Sequence, residues 1–214
     1  MIDCSKTRAL ILAPHTDDAE LGCGGTIAKL RAGGAEVYVA AFSIAEDSVP
    51  PDAPKTILRD EFLSSMDSMG IDETHRIVLG YRVRRFPDAR QEILEDMVRL
   101  KHSIAPTLVF LPASTDVHQD HFTVHSEGVR AFKEGSIWAY ELPWNQTAFA
   151  AEIFVTLTRE HLDSKWNALL RYRSQVQLAR PYFSREFIDG LARVRGVQSR
   201  VDYAEAFELV RFRW

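Results

Sequence analysis

Two short stretches hold most of the side chains that could grip a cation or move a proton. They are His15-Thr16-Asp17-Asp18, inside APHTDDAELGCGG (13–25), and His118-Gln119-Asp120-His121, inside ASTDVHQDHFTVH (113–125). Adjacent carboxylates such as Asp17 and Asp18 repel each other and need a cation, strong hydrogen bonds or solvation. His15 and Asp18 are three residues apart, so on a turn of helix-like pitch they project to one side while Asp17 is aimed elsewhere. One carboxylate can then ligate while its neighbour stays free. The competing reading has an aspartate capping the following helix and His15 simply packing. Glu20 is expected beside the ligands or at the surface, and Cys23 as a small packing residue.

Three of the seven histidines, at 118, 121 and 125, fall in the second stretch with Asp116 and Asp120. His118 and His121 are three apart and His121 and His125 four apart, so several pairs could share a face. The pattern is not H-E-x-x-H, because no glutamate occupies the required place. If the two stretches close neighbouring strands, a cation can take His15, Asp18 and one histidine of the second stretch. Three protein ligands leave a position for water, as in a catalytic zinc site, and such water titrates at ~7 instead of ~16. His125 is expected on a helix facing solvent or Glu127, and His75, His102 and His161 have no expected role.

Both stretches follow apolar runs. TRALILAP, EVYVAAFS, HRIVLG, TLVFLP and SIWAYELP recur with amphipathic segments between them, the pattern of βαβ units. The expected fold is α/β, a Rossmann-like, doubly wound, mostly parallel sheet with helices on both faces. Helices are expected at 26–32, 55–69, 88–104, 121–132, 161–179 and 185–194, with further strands in EIFVTLTRE and AFELVRF. No linker or repeat divides the chain, so one domain over 1–214 is expected, with EDSVPPDAPK (46–55) as a long loop at the ligand-binding edge.

Rival chemistries fail on single residues. G-x-G-x-x-G would need glycine or alanine at 27, which is isoleucine; a P-loop would need Gly-Lys-Ser/Thr after the turn; G-x-S-x-G occurs nowhere. A net charge of −4 gives no global reason to expect nucleic acid. No run approaches the ~18 apolar residues of a membrane span, and MIDCSKTRAL lacks a secretory leader's features, so a cytoplasmic location is the default. Two cysteines make no disulfide scaffold of consequence.

Taken together, HTDDAELGCGGT and HQDH resemble the two motifs of the zinc-dependent N-acetylglucosaminyl deacetylases of the PIG-L and LmbE-like group, with Thr16 and Gln119 where proline is usual. RDEFLSSMDSMGI and YAEAF are also similar to the group. The resemblance implies that His15, Asp18 and His121 bind zinc, or Fe²⁺ on the same ligands. It implies that Asp17 is the general base, and that His118 faces the developing oxyanion or protonates the leaving amine. Asp120 would hydrogen-bond His118 and favour its charged form. Arg59 would contact the substrate, a small-molecule N-acetylated amino sugar. Arg90 and Trp144, near predicted loop edges, are further candidates to touch its hydroxyls or stack on the pyranose face. Members are often oligomeric. Two alternatives remain at this stage, a zinc amidase on a non-sugar small molecule and a non-catalytic, metal-dependent sugar-binding module.

Overall fold

The computed structural model describes residues 3–49 and 52–213, so Pro50 and Pro51 of the expected loop and both chain ends of the expected domain lie outside the described residues. Among the described residues, seven strands form one sheet: β1 (Arg8–Ala13), β2 (Glu36–Ala41), β3 (Arg76–Val78), β4 (Leu108–Pro112), β5 (Ser136–Tyr140), β6 (Ile153–Leu157) and β7 (Tyr203–Arg211). Their order is β3-β2-β1-β4-β5-β7-β6. The first five run parallel, and β7 lies antiparallel between β5 and β6.

The helices are α1 (Asp18–Ala32), α2 (Ile57–Ser68), α3 (Arg90–Ile104), α4 (Gln119–Ala131), α5 (Arg159–Leu169), α6 (Arg173–Val176) and α7 (Arg185–Ser199). Alternate residues of β1 explain why both faces are covered. Ala9, Ile11 and Ala13 pack with Leu21 and Ile27 of α1, Phe62 and Met66 of α2 and Leu169 of α5. Leu10 and Leu12 pack instead with Ile93 and Met97 of α3 and Val124 of α4.

This is the expected α/β architecture; α7 runs five residues past its expected end at 194, and two helices differ more. The first helix begins at Asp18 instead of Thr26, because a break at Cys23 (φ −145°, ψ 24°) lets a glycine-rich segment join two helical pieces. The stretch expected as one helix over 161–179 is α5 followed by the short α6, separated by the turn at Leu170–Tyr172.

The winding decides where chemistry can sit. From β1 the chain moves outward to β2 and β3, then returns to lay β4 on the other side of β1. Loops leaving the carboxyl ends of β1 and β4 therefore diverge and open a crevice at this switch point. Both motif stretches are those loops.

Candidate functional site

In the crevice, the loop after β1 delivers His15, Asp17 and Asp18, and the loop after β4 delivers Asp116, His118 and His121. All of these but Asp116, which stands behind His121, border a cavity of about 260 Å³, also lined by Trp144, Arg84, Arg180 and Tyr182. His118 is the N-cap of α4, where its Nδ1 accepts the Asp120 backbone N–H at 3.2 Å. His121 then falls on the first turn of α4, buried and turned toward β1.

Three atoms converge. His15 Nδ1 lies 3.2 Å from Asp18 Oδ2, His121 Nε2 lies 3.3 Å from the same oxygen, and the two nitrogens are 3.2 Å apart. Around a tetrahedral ion with zinc-like bond lengths, ligand atoms stand about 3.3 Å from one another, so the triangle fits such a cation. A nitrogen of His118 also falls within 4.8 Å of those of His15 and His121. Asp18 nevertheless makes the tighter set, since its oxygen touches both imidazoles.

The outer nitrogens are equally occupied. His15 Nε2 faces Asp120 Oδ2 at 3.1 Å, and His121 Nδ1 faces Asp116 Oδ2 at 2.7 Å. A carboxylate behind each ring takes its N–H and leaves the inner nitrogen's lone pair free. Burial alone would lower the pKa of His121, but Asp18 and Asp116 on either side push it up to about 10. Burial likewise opposes ionisation of Asp18, yet His121 and His15 hold it far below the usual carboxylate range. The donor set therefore attracts positive charge at its centre, whether a proton or a metal.

Asp17 is the carboxylate left over. It occupies the N-cap position of α1 without a side-chain capping bond, borders the cavity, and is raised to about 6 by burial and by the adjacent Asp18. Burial and the neighbouring imidazoles of His121 and His15 lower His118 to about 4.

Several expectations need correction. The Asp120 carboxylate does not bond His118. From the first turn of α4 it points back to His15 and accepts the N–H groups of Arg84 (2.6 Å) and Phe86 (3.2 Å). What reaches His118 is the Asp120 N–H, a donor, which favours the neutral ring over the charged form. Arg90 is held by the buried Glu127, through Nε at 2.7 Å and Nη2 at 2.5 Å, and lies outside the cavity. Arg59 stands exposed on α2 and does not line the cavity either, because Leu58 is the residue α2 turns inward. Trp144 does line it, stacked on Tyr182 with centroids 3.9 Å apart and planes within 12°. His125 bonds the Pro112 carbonyl at 2.7 Å.

Glu20 is neither beside the ligands nor at the surface. Fully buried, it accepts from Ser65 Oγ and meets the Tyr172 hydroxyl at 2.8 Å, while that hydroxyl also lies 2.5 Å from the Thr16 carbonyl. Tyr172 has one proton for two acceptors, so Thr16 and Glu20 Oε1 compete for it, and Glu20 Oε2 has no hydrogen-bond partner among the described residues. Burial accordingly raises Glu20 to about 7.

Asp116, which orients His121 and also accepts the His118 N–H at 2.9 Å, had no role in the sequence reading. Its place two residues before a histidine that caps a helix was the available signal. Nothing in the sequence pointed to Arg84, Arg180 or Tyr182.

A sequence model of the family described as PIG-L, GlcNAc-PI de-N-acetylase, matches residues 10–132. An "uncharacterized deacetylase", YaiS of Escherichia coli (strain K12), is 26% identical over 176 residues, covering 77% of this chain and 90% of that protein. The solved structure of the conserved protein TT1542 from Thermus thermophilus is 27% identical, with TM-score 0.78 and 97% of each chain covered. N,N'-diacetylchitobiose deacetylase from Pyrococcus horikoshii is 21% identical with TM-score 0.78, over 95% of this chain and 84% of its own, a likeness of fold.

Two outcomes test this geometry. Asp116→Asn should weaken Zn²⁺ binding about 10- to 100-fold in a chelator competition, by loosening His121; an unchanged affinity would count against the role given to Asp116. For Glu20, the folded pKa lies above the unfolded one, so the folded state holds the extra proton and loses stability as pH rises from about 4.5 to about 7. Glu20→Gln should match the parent near pH 4 and exceed it by up to about 3 kcal/mol at pH 8 in urea unfolding.

Proposed function

The chain belongs to the family described as PIG-L, GlcNAc-PI de-N-acetylase, and is an N-deacetylase; on that premise we propose that it removes the N-acetyl group from an N-acetylated amino sugar with the help of a divalent cation. Zn²⁺ suits two imidazoles and a carboxylate, and Fe²⁺ can use the same set. One domain spanning 1–214 carries the activity.

The main support is the triangle of His15 Nδ1, Asp18 Oδ2 and His121 Nε2, three lone-pair donors 3.2 to 3.3 Å apart. These residues would hold the cation, which supplies Lewis-acid polarisation of the amide carbonyl and acidifies water. The sugar assignment draws on the Pyrococcus neighbour's stated substrate and on the aromatic wall of Trp144 and Tyr182, against which a pyranose face can stack.

The chain's own residues divide the remaining work. Asp17, free of capping duty, takes the proton of the attacking water as general base. His118 supports the oxyanion rather than acting as the acid: its Nδ1 receives the Asp120 N–H, so the neutral ring carries its proton on Nε2, ready to donate to the developing negative oxygen. A ring held neutral has no proton to lose to an amine without becoming an anion. The leaving nitrogen therefore recovers the proton that Asp17 took, and the second proton of the water passes from the new carboxyl to the released amine, so the products are acetate and an ammonium.

Release of acetate from a panel of N-acetylhexosamine derivatives tests the substrate class. Acetate from non-sugar amides alone would favour the amidase alternative. Asp17→Asn should keep its stoichiometric metal and lose about 10²- to 10⁴-fold in kcat. Turnover at the parental rate would remove Asp17 as the base.

A further inference from the structure

We infer that the buried ion pair between Lys165 of α5 and Glu205 of β7 is a positioning device for Asp17 and Asp18, inserted into the hydrogen-bond ladder of α1. In an unbroken helix the Gly25 N–H would donate to the Leu21 carbonyl. Here the backbone leaves helical geometry at Cys23, and the two partners are joined through the ion pair instead. The Leu21 carbonyl accepts Lys165 Nζ at 2.9 Å, Nζ meets Glu205 Oε1 at 2.7 Å, and Oε1 accepts the Gly25 N–H at 2.9 Å. Glu205 Oε2 takes the next freed donor, the Thr26 N–H, at 2.6 Å.

The break thus makes two short helices of one. The first, headed by Asp17 and Asp18, ends on a carbonyl held by an ammonium; the second begins on N–H groups held by a carboxylate. Each charge has the sign that the helix end beside it favours. Lys165 and Glu205 come from elements distant in sequence, so the pair fixes the first piece relative to α5 and β7 instead of letting it follow the axis of the second.

The same contacts bear on two glycines of GCGG. A Cβ on Gly24 would stand 2.8 Å from Lys165 Cγ, and one on Gly25 would stand 2.5 Å from Leu157 Cδ1 and 3.1 Å from Glu205 Oε1. The ion pair fills the space at Gly24 and shares it with Leu157 at Gly25, whereas the Tyr140 ring excludes a side chain at Gly22. Burying two charges is a poor source of stability, since an apolar pair of similar volume is often as stable. The geometry it imposes is what an apolar pair could not supply, because only polar groups can replace the missing ladder bonds at both ends.

The inference rests on the proposed roles of Asp17 and Asp18, and its test separates the two. Lys165→Met, Glu205→Gln and the double variant would be compared with the parent, all shown folded by circular dichroism at the working temperature. Each single variant should lose at least 10-fold in Zn²⁺ affinity by chelator competition and exchange the amides of residues 18–22 at least 10-fold faster in metal-free protein. The double variant, with no unpaired charge, should recover thermal stability relative to the singles and recover neither Zn²⁺ affinity nor amide protection. Recovery of both along with stability would overturn the positioning role, as would parental affinity and exchange in a folded single variant. A parent that takes up no Zn²⁺ would overturn the metal reading, and the exchange measurement would then decide on the ion pair alone.

Discussion

Two imidazole nitrogens and a carboxylate oxygen facing one another at 3.2 to 3.3 Å are stable only with positive charge among them. Most of what surrounds His15, Asp18 and His121 follows from keeping that meeting in place. Each ring must present a lone pair inward, so each needs an acceptor behind it, and Asp120 and Asp116 serve as those acceptors. Each acceptor must itself be held. Asp120 is fixed by two backbone N–H groups of the 84–86 segment, and Arg84 adopts a left-handed φ of 64° to present one of them. Asp116 is fixed by the His118 N–H as α4 begins.

The sheet makes the meeting possible across a sequence separation of about a hundred residues. β1 and β4 pair in parallel, with Ile11 opposite Phe110, so the loops that follow them leave the same edge side by side. The reversal of winding at this pair sends one loop toward α1 and the other toward α4. The two helix starts then face each other, and the carboxylates among their first residues are served by nearby N–H groups as well as by imidazoles.

How much of this the sequence revealed depends on whether a feature is local. Strands β1, β2, β4 and β5 are continuous apolar runs, and such runs announce themselves when both faces are buried. His15, Asp17, Asp18, His118 and His121 stood out by type and spacing, and the structure brings them to one cavity. The target of Asp120 was not legible, because the direction of a first-turn side chain depends on the loop opposite, 34 to 36 residues away in sequence. Arg90 failed for a related reason: the buried Glu127 needed a countercharge, and no local pattern showed that Glu127 was buried. The early start of α1 was hidden by its glycines, which read as a turn and are instead the clearance for Tyr140, Lys165, Leu157 and Glu205.

Charge also links the proposed base to the proposed ligands. Asp17 is raised to about 6 by burial first and by Asp18 second. A divalent cation gripped by Asp18 would offset that repulsion and leave burial as the main force holding Asp17 near neutrality. Adjacent carboxylates therefore make one unit, in which the member that ligates tunes the member that moves the proton. A cation-free pocket of the same shape would hold Asp17 protonated to higher pH, and a protonated carboxylate cannot accept a proton from water. Placing the base directly beside a ligand makes its readiness depend on the metal, a dependence that a base two turns away could not have.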